Sequence, residues 1–333
     1  MLQATENVIH PVTGQAYPAY LVGAVAPLFT PERPDGRIDF DGLEAQADFL
    51  CSSGAVSAVI ARSGVGRMWS YTMEECRDAF RVVLDVARGR KAVLANCAGV
   101  WDGNRSEPPR PAVYRRQAAE LAEFAAVNGA TAVLQPVPTP LLIDAEYAPQ
   151  DVILRFFEDH AAAVALPVVL YNQSETAPGA ALTLGTLQRL SHRERIAGVI
   201  YNTADAALLS DVARVCRSGF AVGTASDAMC GSAFAGGAAN SAGPLAAVMP
   251  ELVSAAWRGA LEGDLPAMWR AQRDLLAAAE FLAQWTPWDI GCAVMQRLGV
   301  PMAARSRDGS RAPLPEETDL AMKLLSRLRA PYL

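Results

Sequence analysis

Lysine is nearly absent from this chain. Of 29 basic residues in 333, two are lysines, Lys91 and Lys323, and the other 27 are arginines. Arginine keeps its proton, so any chemistry that needs a neutral amine nucleophile has two candidates. Histidine is scarce too. His10, His160 and His192 follow no ligand spacing, which argues against a zinc site. A magnesium site on Asp205 and Asp227 is the weaker alternative, so the sequence calls for no metal and no other cofactor. The six cysteines (51, 76, 97, 216, 230 and 292) are scattered and contain no C-x-x-C pair. That pattern suits reduced thiols in a cytoplasmic protein better than a disulfide framework. No run approaches ~18 apolar residues, which argues against a membrane helix. The N-terminus shows no basic region followed by an apolar run, so no secretory signal is read there. A net charge of −6 without a basic cluster makes nucleic acid a poor partner.

What is present is a regular alternation. Short runs rich in Val, Ile and Ala predict strands at 21–26, 56–61, 92–96, 131–135, 167–171, 197–201, 220–224 and 235–239. The last is weak, because glycine and alanine are poor strand formers. Amphipathic stretches between them predict helices over 40–53, 73–88, 114–128 and 150–165. Strands apolar enough to be covered on both faces and spaced by helices argue a parallel sheet. Its economical closed form is an α/β fold, the (β/α)8 TIM barrel with extra C-terminal helices. An open doubly wound sheet is the competitor, but no G-x-G-x-x-G follows the first strand. The expected layout is an N-terminal arm (1–19), a barrel (20–246) and a C-terminal helical region (247–333). An insertion at 101–113, WDGNRSEPPRPAV, follows the third strand and belongs at the barrel's C-terminal mouth.

Chemistry in such a barrel sits where strands end and the following loops begin. Those positions hold Thr30, Arg62, Ser63, Asn96, Gln135, Tyr171, Asn172, Tyr201, Asn202, Thr224, Ser226, Asp227, Asn240 and Ser241. The expected mouth is therefore rich in amides and hydroxyls and poor in charge.

Several segments, in order, resemble the dihydrodipicolinate synthase / N-acetylneuraminate lyase family. APLFTPERPDGRIDFDGL (26–43) is similar to that family's opening strand and Asp-Gly turn. SGVGRMWSYTMEE (63–75) falls where the family carries a Gly-Thr-Thr-Gly-Glu loop and a helix start. LPVVLYN (166–172) resembles its Leu-Pro-(apolar)-Leu-Tyr-Asn strand, and IAGVIYNTAD (196–205) its Ile-x-Gly-Ile-Lys strand. ELVSAAWRGALEGDLPAMW (251–269) is similar to its first C-terminal helix pair. The resemblance covers roughly residues 20–315. It implies a dimeric or tetrameric barrel enzyme whose sixth-strand lysine forms a Schiff base with a 2-keto acid, assisted by a fifth-strand tyrosine.

The departures from that pattern are chemical. The tyrosine is kept as Tyr171, but the lysine position is Ile200, and the Thr-Thr pair that holds the carboxylate becomes Gly64-Val65. Isoleucine forms no imine. Lys91, at the start of the third strand, and Lys323, in the terminal helix, are expected far from the mouth.

The expectation is a lyase- or aldolase-family protein that acts on a small keto-, hydroxy- or sugar acid without a lysine Schiff base. The alternative is a non-catalytic relative that binds a small carboxylic acid; an isomerase using the same pocket is a third reading. Tyr171 and Tyr201 are the catalytic candidates, each weighed against a buried tyrosine bonded to a carbonyl. Arg62 and Arg67 are candidates for the substrate carboxylate, against a salt-bridge role. Ser63, Asn96, Asn172, Asn202, Thr224 and Asn240 complete the expected binding set, against simple strand-end capping. Trp285 and Trp288 are read as packing residues. The partners expected are a small acid and further copies of the chain as a homodimer or homotetramer, with no nucleic acid and no membrane.

Overall fold

The computed structural model describes residues 7–10, 14–101, 107–143, 145–173, 180–304 and 312–333. Eight parallel strands close into a barrel: β3 (Gly23–Pro27), β4 (Val56–Ala61), β5 (Ala92–Asn96), β6 (Ala132–Pro136), β7 (Val168–Asn172), β8 (Ile196–Tyr201), β9 (Ala221–Thr224) and β10 (Asn240–Ser241). β10 completes the ring between β9 and β3. Nearly every residue of the first seven is buried, as expected of strands covered by helices outside and by side chains within.

Seven of the eight predicted strands lie within a residue or two of their expected places. The eighth does not. Residues 230–235 form α7 (Cys230–Ala235), Gly237 turns at φ 96°, and pairing starts only at Asn240. The Ala-Gly run supplies a helix end and a left-handed turn, which glycine adopts without strain.

Helices α1 (Phe40–Ser52), α2 (Met73–Ala87), α3 (Pro111–Val127), α4 (Pro149–Ala163), α5 (Leu184–Ser191) and α6 (Ala206–Val215) cover the barrel. Their starts are encoded locally. Thr72 and Glu75 form a capping box on α2, and the Asp205 carboxylate accepts the Leu208 N–H at the head of α6. Pro111 and Pro149 open α3 and α4. The tail of the 101–113 stretch is thus the first turn of α3; residues 102–106 of that stretch lie outside the described residues.

The described part of the arm is a small antiparallel hairpin of β1 (Asn7–Ile9) and β2 (Ala16–Pro18). Tyr17 ties it to the barrel by donating to the Gly237 carbonyl at 2.9 Å. After the barrel come α8 (Leu245–Val248), α9 (Pro250–Glu262), α10 (Leu265–Leu282), α11 (Pro287–Arg297) and α12 (Pro315–Arg329). Helix α11 reaches back to the mouth: Trp288 donates its indole N–H to the Thr30 carbonyl at 2.9 Å. No described helix is long and apolar enough to cross a membrane, and the six cysteines are free and buried.

Candidate active site

The β-ladder decides which strand-end residues face inward. Tyr171 pairs with Ile200, Ile200 with Gly223, and Gly223 with Asn240, so these share the barrel interior. The next residues along, Asn172, Tyr201, Thr224 and Ser241, form the adjoining ladder row and face outward. The Tyr201 hydroxyl accordingly donates to the Leu182 carbonyl at 2.8 Å, and the Asn172 side-chain oxygen accepts the Leu182 N–H. Burial pushes the Tyr201 phenol up to about 12. Thr224 accepts the Ser226 N–H, a local turn bond. Tyr201, Asn172 and Thr224 thus brace the outer wall. Strand parity carries this information, and neighbouring position along the strand does not.

The mouth cavity is lined by Pro27, Ile60, Ser63, Gly64, Val65, Asn96, Leu134, Tyr171, Gln173 and Ala242. It is more apolar than expected, because Gln135 and Thr30 do not join it. Gln135 turns outward and donates to the Tyr114 hydroxyl at 3.1 Å. The volume among the described residues is about 20 Å³, room for roughly one water. Of the expected set, Ser63, Asn96 and Tyr171 meet here. Asn240 lies deeper in the barrel and donates to the Leu21 carbonyl at 3.0 Å. Asn202 is half-buried just beyond β8, outside the lining.

The loop after β4 is the most constrained part of the site. Arg62 and Arg67 are the only described non-glycine residues at positive φ, 57° and 59°. Such backbone costs on the order of 1–3 kcal/mol per residue and persists only when the surroundings enforce it. Here they do. The buried Arg62 guanidinium spends its five donors on the backbone carbonyls of Met68, Asn96, Ala98 and Gly99. Ser63 donates to the Leu28 carbonyl at 2.7 Å and accepts the Gly66 N–H at 2.9 Å. The N–H groups of Gly64 and Val65, at the lip of the mouth, donate to no described residue.

Arg67 turns away from the mouth onto α11. Its guanidinium carbon sits 4.2 Å from the Trp288 ring centroid, and its nitrogen lies 3.7 Å from Asp289 Oδ1. Asp289 is fixed in turn by Thr286, whose hydroxyl it accepts and whose Oγ1 accepts the Asp289 N–H. Tyr71 donates to the Glu32 carboxylate at 3.3 Å in the same buried region. Glu32 and Asp289 were not anticipated from sequence. The available signal for Asp289 was the Thr-Pro-Trp-Asp helix start; Glu32, inside a Pro-rich turn, offers none.

The two lysines are remote. Lys91 donates to the carbonyl of Val56, first residue of β4, at the opposite end of the barrel. Lys323 is exposed on α12. Asp205 caps α6 by accepting the Leu208 N–H, and Asp227 accepts the Leu245 N–H through Oδ2. Among the described residues no three His, Cys, Asp or Glu side chains converge as a metal site.

A closed parallel barrel with a strained, arginine-braced loop and a strand-end tyrosine at its C-terminal mouth defines a (β/α)8-barrel protein with its candidate site at that mouth. Comparison makes this specific. The sequence model of the dihydrodipicolinate synthetase family matches residues 20–325, and the chain belongs to that family. It is 28% identical over 242 residues to a 4-hydroxy-tetrahydrodipicolinate synthase of Methylococcus capsulatus, covering 73% of this chain and 76% of that one. The corresponding Pseudomonas aeruginosa synthase is 29% identical over 259 residues, covering 77% and 80%. In fold, the chain is similar to the Ruminococcus gnavus sialic acid aldolase, with a TM-score of 0.81 at 18% identity over 94% of this chain and 100% of that one. The dihydrodipicolinate synthase of Aquifex aeolicus superposes with a TM-score of 0.79 at 22% identity, covering 93% and 99%.

Proposed function

We propose that the chain acts on a small keto-, hydroxy- or sugar acid without a lysine imine; membership of its family supports a lyase- or aldolase-like activity. The observation that carries the reading is the mouth itself: Tyr171 lines it, its ladder partner is Ile200, and neither lysine is near. An aldolase without an imine sends the electron pair of the breaking carbon–carbon bond onto the ketone oxygen, as an enolate. The hydroxyl proton lost by the departing fragment passes to Tyr171 in its phenolate form, and the phenol so made returns it to the enolate carbon, restoring the phenolate. The enolate or carboxylate oxygens need donors, and the N–H groups of Gly64 and Val65 stand at the lip to supply them. Arg62 sets that loop's shape, and Ser63 and Asn96 complete the polar wall.

Assembly as a homodimer or homotetramer accompanies this reading. Leu265, Trp269 and Leu276 are exposed along one face of α10, an apolar stripe suited to a second copy.

The test is a thermal-shift panel of 2-keto acids, hydroxy acids and sugar acids, followed by borohydride treatment with the acid that binds. Saturation at about a hundred times Kd adds roughly 2.7 kcal/mol. A shift with one class and no trapped adduct supports the proposal. An adduct on Lys91 or Lys323 removes the imine-free chemistry, and no shift with any acid removes the ligand class.

A further inference from the structure

At the opposite end of the barrel from the mouth, a cavity of about 440 Å³ lies under the starts of β5 and β6, between the C-terminal end of α2 and the turn after α3. It shares no lining residue with the mouth. Leu84, Ala87 and Val93 give it a hydrocarbon floor. Lys91 lines it, half-buried, with one of its three ammonium donors on the Val56 carbonyl at 2.7 Å. It makes no ion pair with a described residue. Tyr20 lines the cavity too and is only 9% exposed. Its hydroxyl stays accessible yet bonds to no described residue. The Thr131 hydroxyl accepts the Val93 N–H, and its own proton has no described acceptor. Arg88 stands in the lining with its charge balanced by Asp85 at 2.7 Å, and no described carboxylate lines the cavity.

A partly buried ammonium loses hydration, and without a carboxylate beside it nothing offsets the loss. Burial accordingly lowers the Lys91 amine from its ordinary value, and no Asp or Glu acts against that. An anion set against Lys91 supplies the missing charge and accepts from Tyr20 and Thr131, while a hydrocarbon body covers Leu84 and Val93. The volume falls within the ~300–1,000 Å³ of small-molecule sites. We propose that this cavity binds a small organic anion, a carboxylate on a hydrocarbon or ring body, with Lys91 as its counter-ion and Tyr20 as a hydrogen-bond donor. The site does not rest on the chemistry assigned to the mouth.

Phenylacetate and its neutral amide, phenylacetamide, are suitable probes, titrated by calorimetry into the full-length protein at neutral pH. The acid should bind at least about tenfold more tightly than the amide, a difference of about 1.4 kcal/mol. Lys91→Met should bring the acid down to the level of the amide, and Tyr20→Phe should weaken it about threefold. Because the chain has two lysines, the location can also be read in the wild type, whether or not a variant folds. Under limited acetylation followed by peptide mass spectrometry, saturating phenylacetate should protect Lys91 and leave the exposed Lys323 as reactive as before. Binding at the mouth does not protect Lys91, so the two sites are told apart. Acid binding that leaves Lys91 unprotected places the ligand elsewhere and overturns the site, as does no binding of the acid at all. Equal affinity for acid and amide overturns the anion assignment, and undiminished acid binding by Lys91→Met overturns the counter-ion.

Discussion

Tyr171 and Ile200 are ladder partners on adjacent strands, so both project into the barrel interior, Tyr171 into the mouth. The relationship sets a phenol beside a side chain that forms no covalent bond with a carbonyl. Ile200→Lys should restore what is missing. The amine would be buried at a position with no exposure in the native chain, and burial favours its neutral, nucleophilic form. Incubation with pyruvate and borohydride should then give an adduct on residue 200 by mass spectrometry, absent from the wild type. A variant that folds yet traps nothing would place residue 200 out of reach of the ligand.

Tyr171→Phe removes one hydroxyl and no ladder bond. Once a substrate is in hand, kcat should fall about 10²–10⁴-fold, the usual contribution of a general acid–base group. The melting temperature and the KM should change little. A KM rise at constant kcat would make Tyr171 a binding residue instead.

Arg62 carries a structural prediction of its own. Replacing it by Met leaves four buried carbonyls without this donor, each worth on the order of 1 kcal/mol, for a loss of about 4 kcal/mol in urea denaturation. Arg62→Lys should rescue little of it, because an ammonium lacks the planar fork that reaches all four. Near-native stability in either variant would contradict the bracing role.

The barrel was legible because its strands are short, buried runs between helices with local start signals such as Thr72 and Glu75. β10 was not, because two residues, Asn240 and Ser241, carry no periodicity. They pair only because β3 and β9 leave a gap of their width. The site was legible in part. Tyr171, Ser63 and Asn96 are strand-end residues that do face the mouth. Tyr201, Asn172 and Thr224 are one position out of phase, and a shift of one residue reverses the face. Arg62 shows a further limit, since its partners are backbone carbonyls, of Met68 in its own loop and of Asn96, Ala98 and Gly99 at the end of β5 and beyond, which no side-chain pattern reveals.

The pH dependence of stability separates two buried groups of opposite sign. Burial raises the Asp227 carboxyl from 3.8 to about 7, so between those values the folded chain holds a proton that the unfolded chain releases. Stability from this group is full below about pH 4 and is lost as pH rises toward 7. Burial lowers His160 from 6.5 to about 4, so there the unfolded chain binds the extra proton. Its contribution is full above 6.5 and is lost as pH falls toward 4. Each slope is about 1.4 kcal/mol per pH unit at most, and over the shared window the two offset. Relative to wild type, Asp227→Asn should therefore make stability rise with pH between about 4 and 6.5, whereas His160→Leu should make it fall. Parallel unfolding profiles for the wild type and both variants would mean that neither group titrates differently in the folded chain. A change confined to Asp227→Asn would leave the carboxyl alone as the source of the pH dependence.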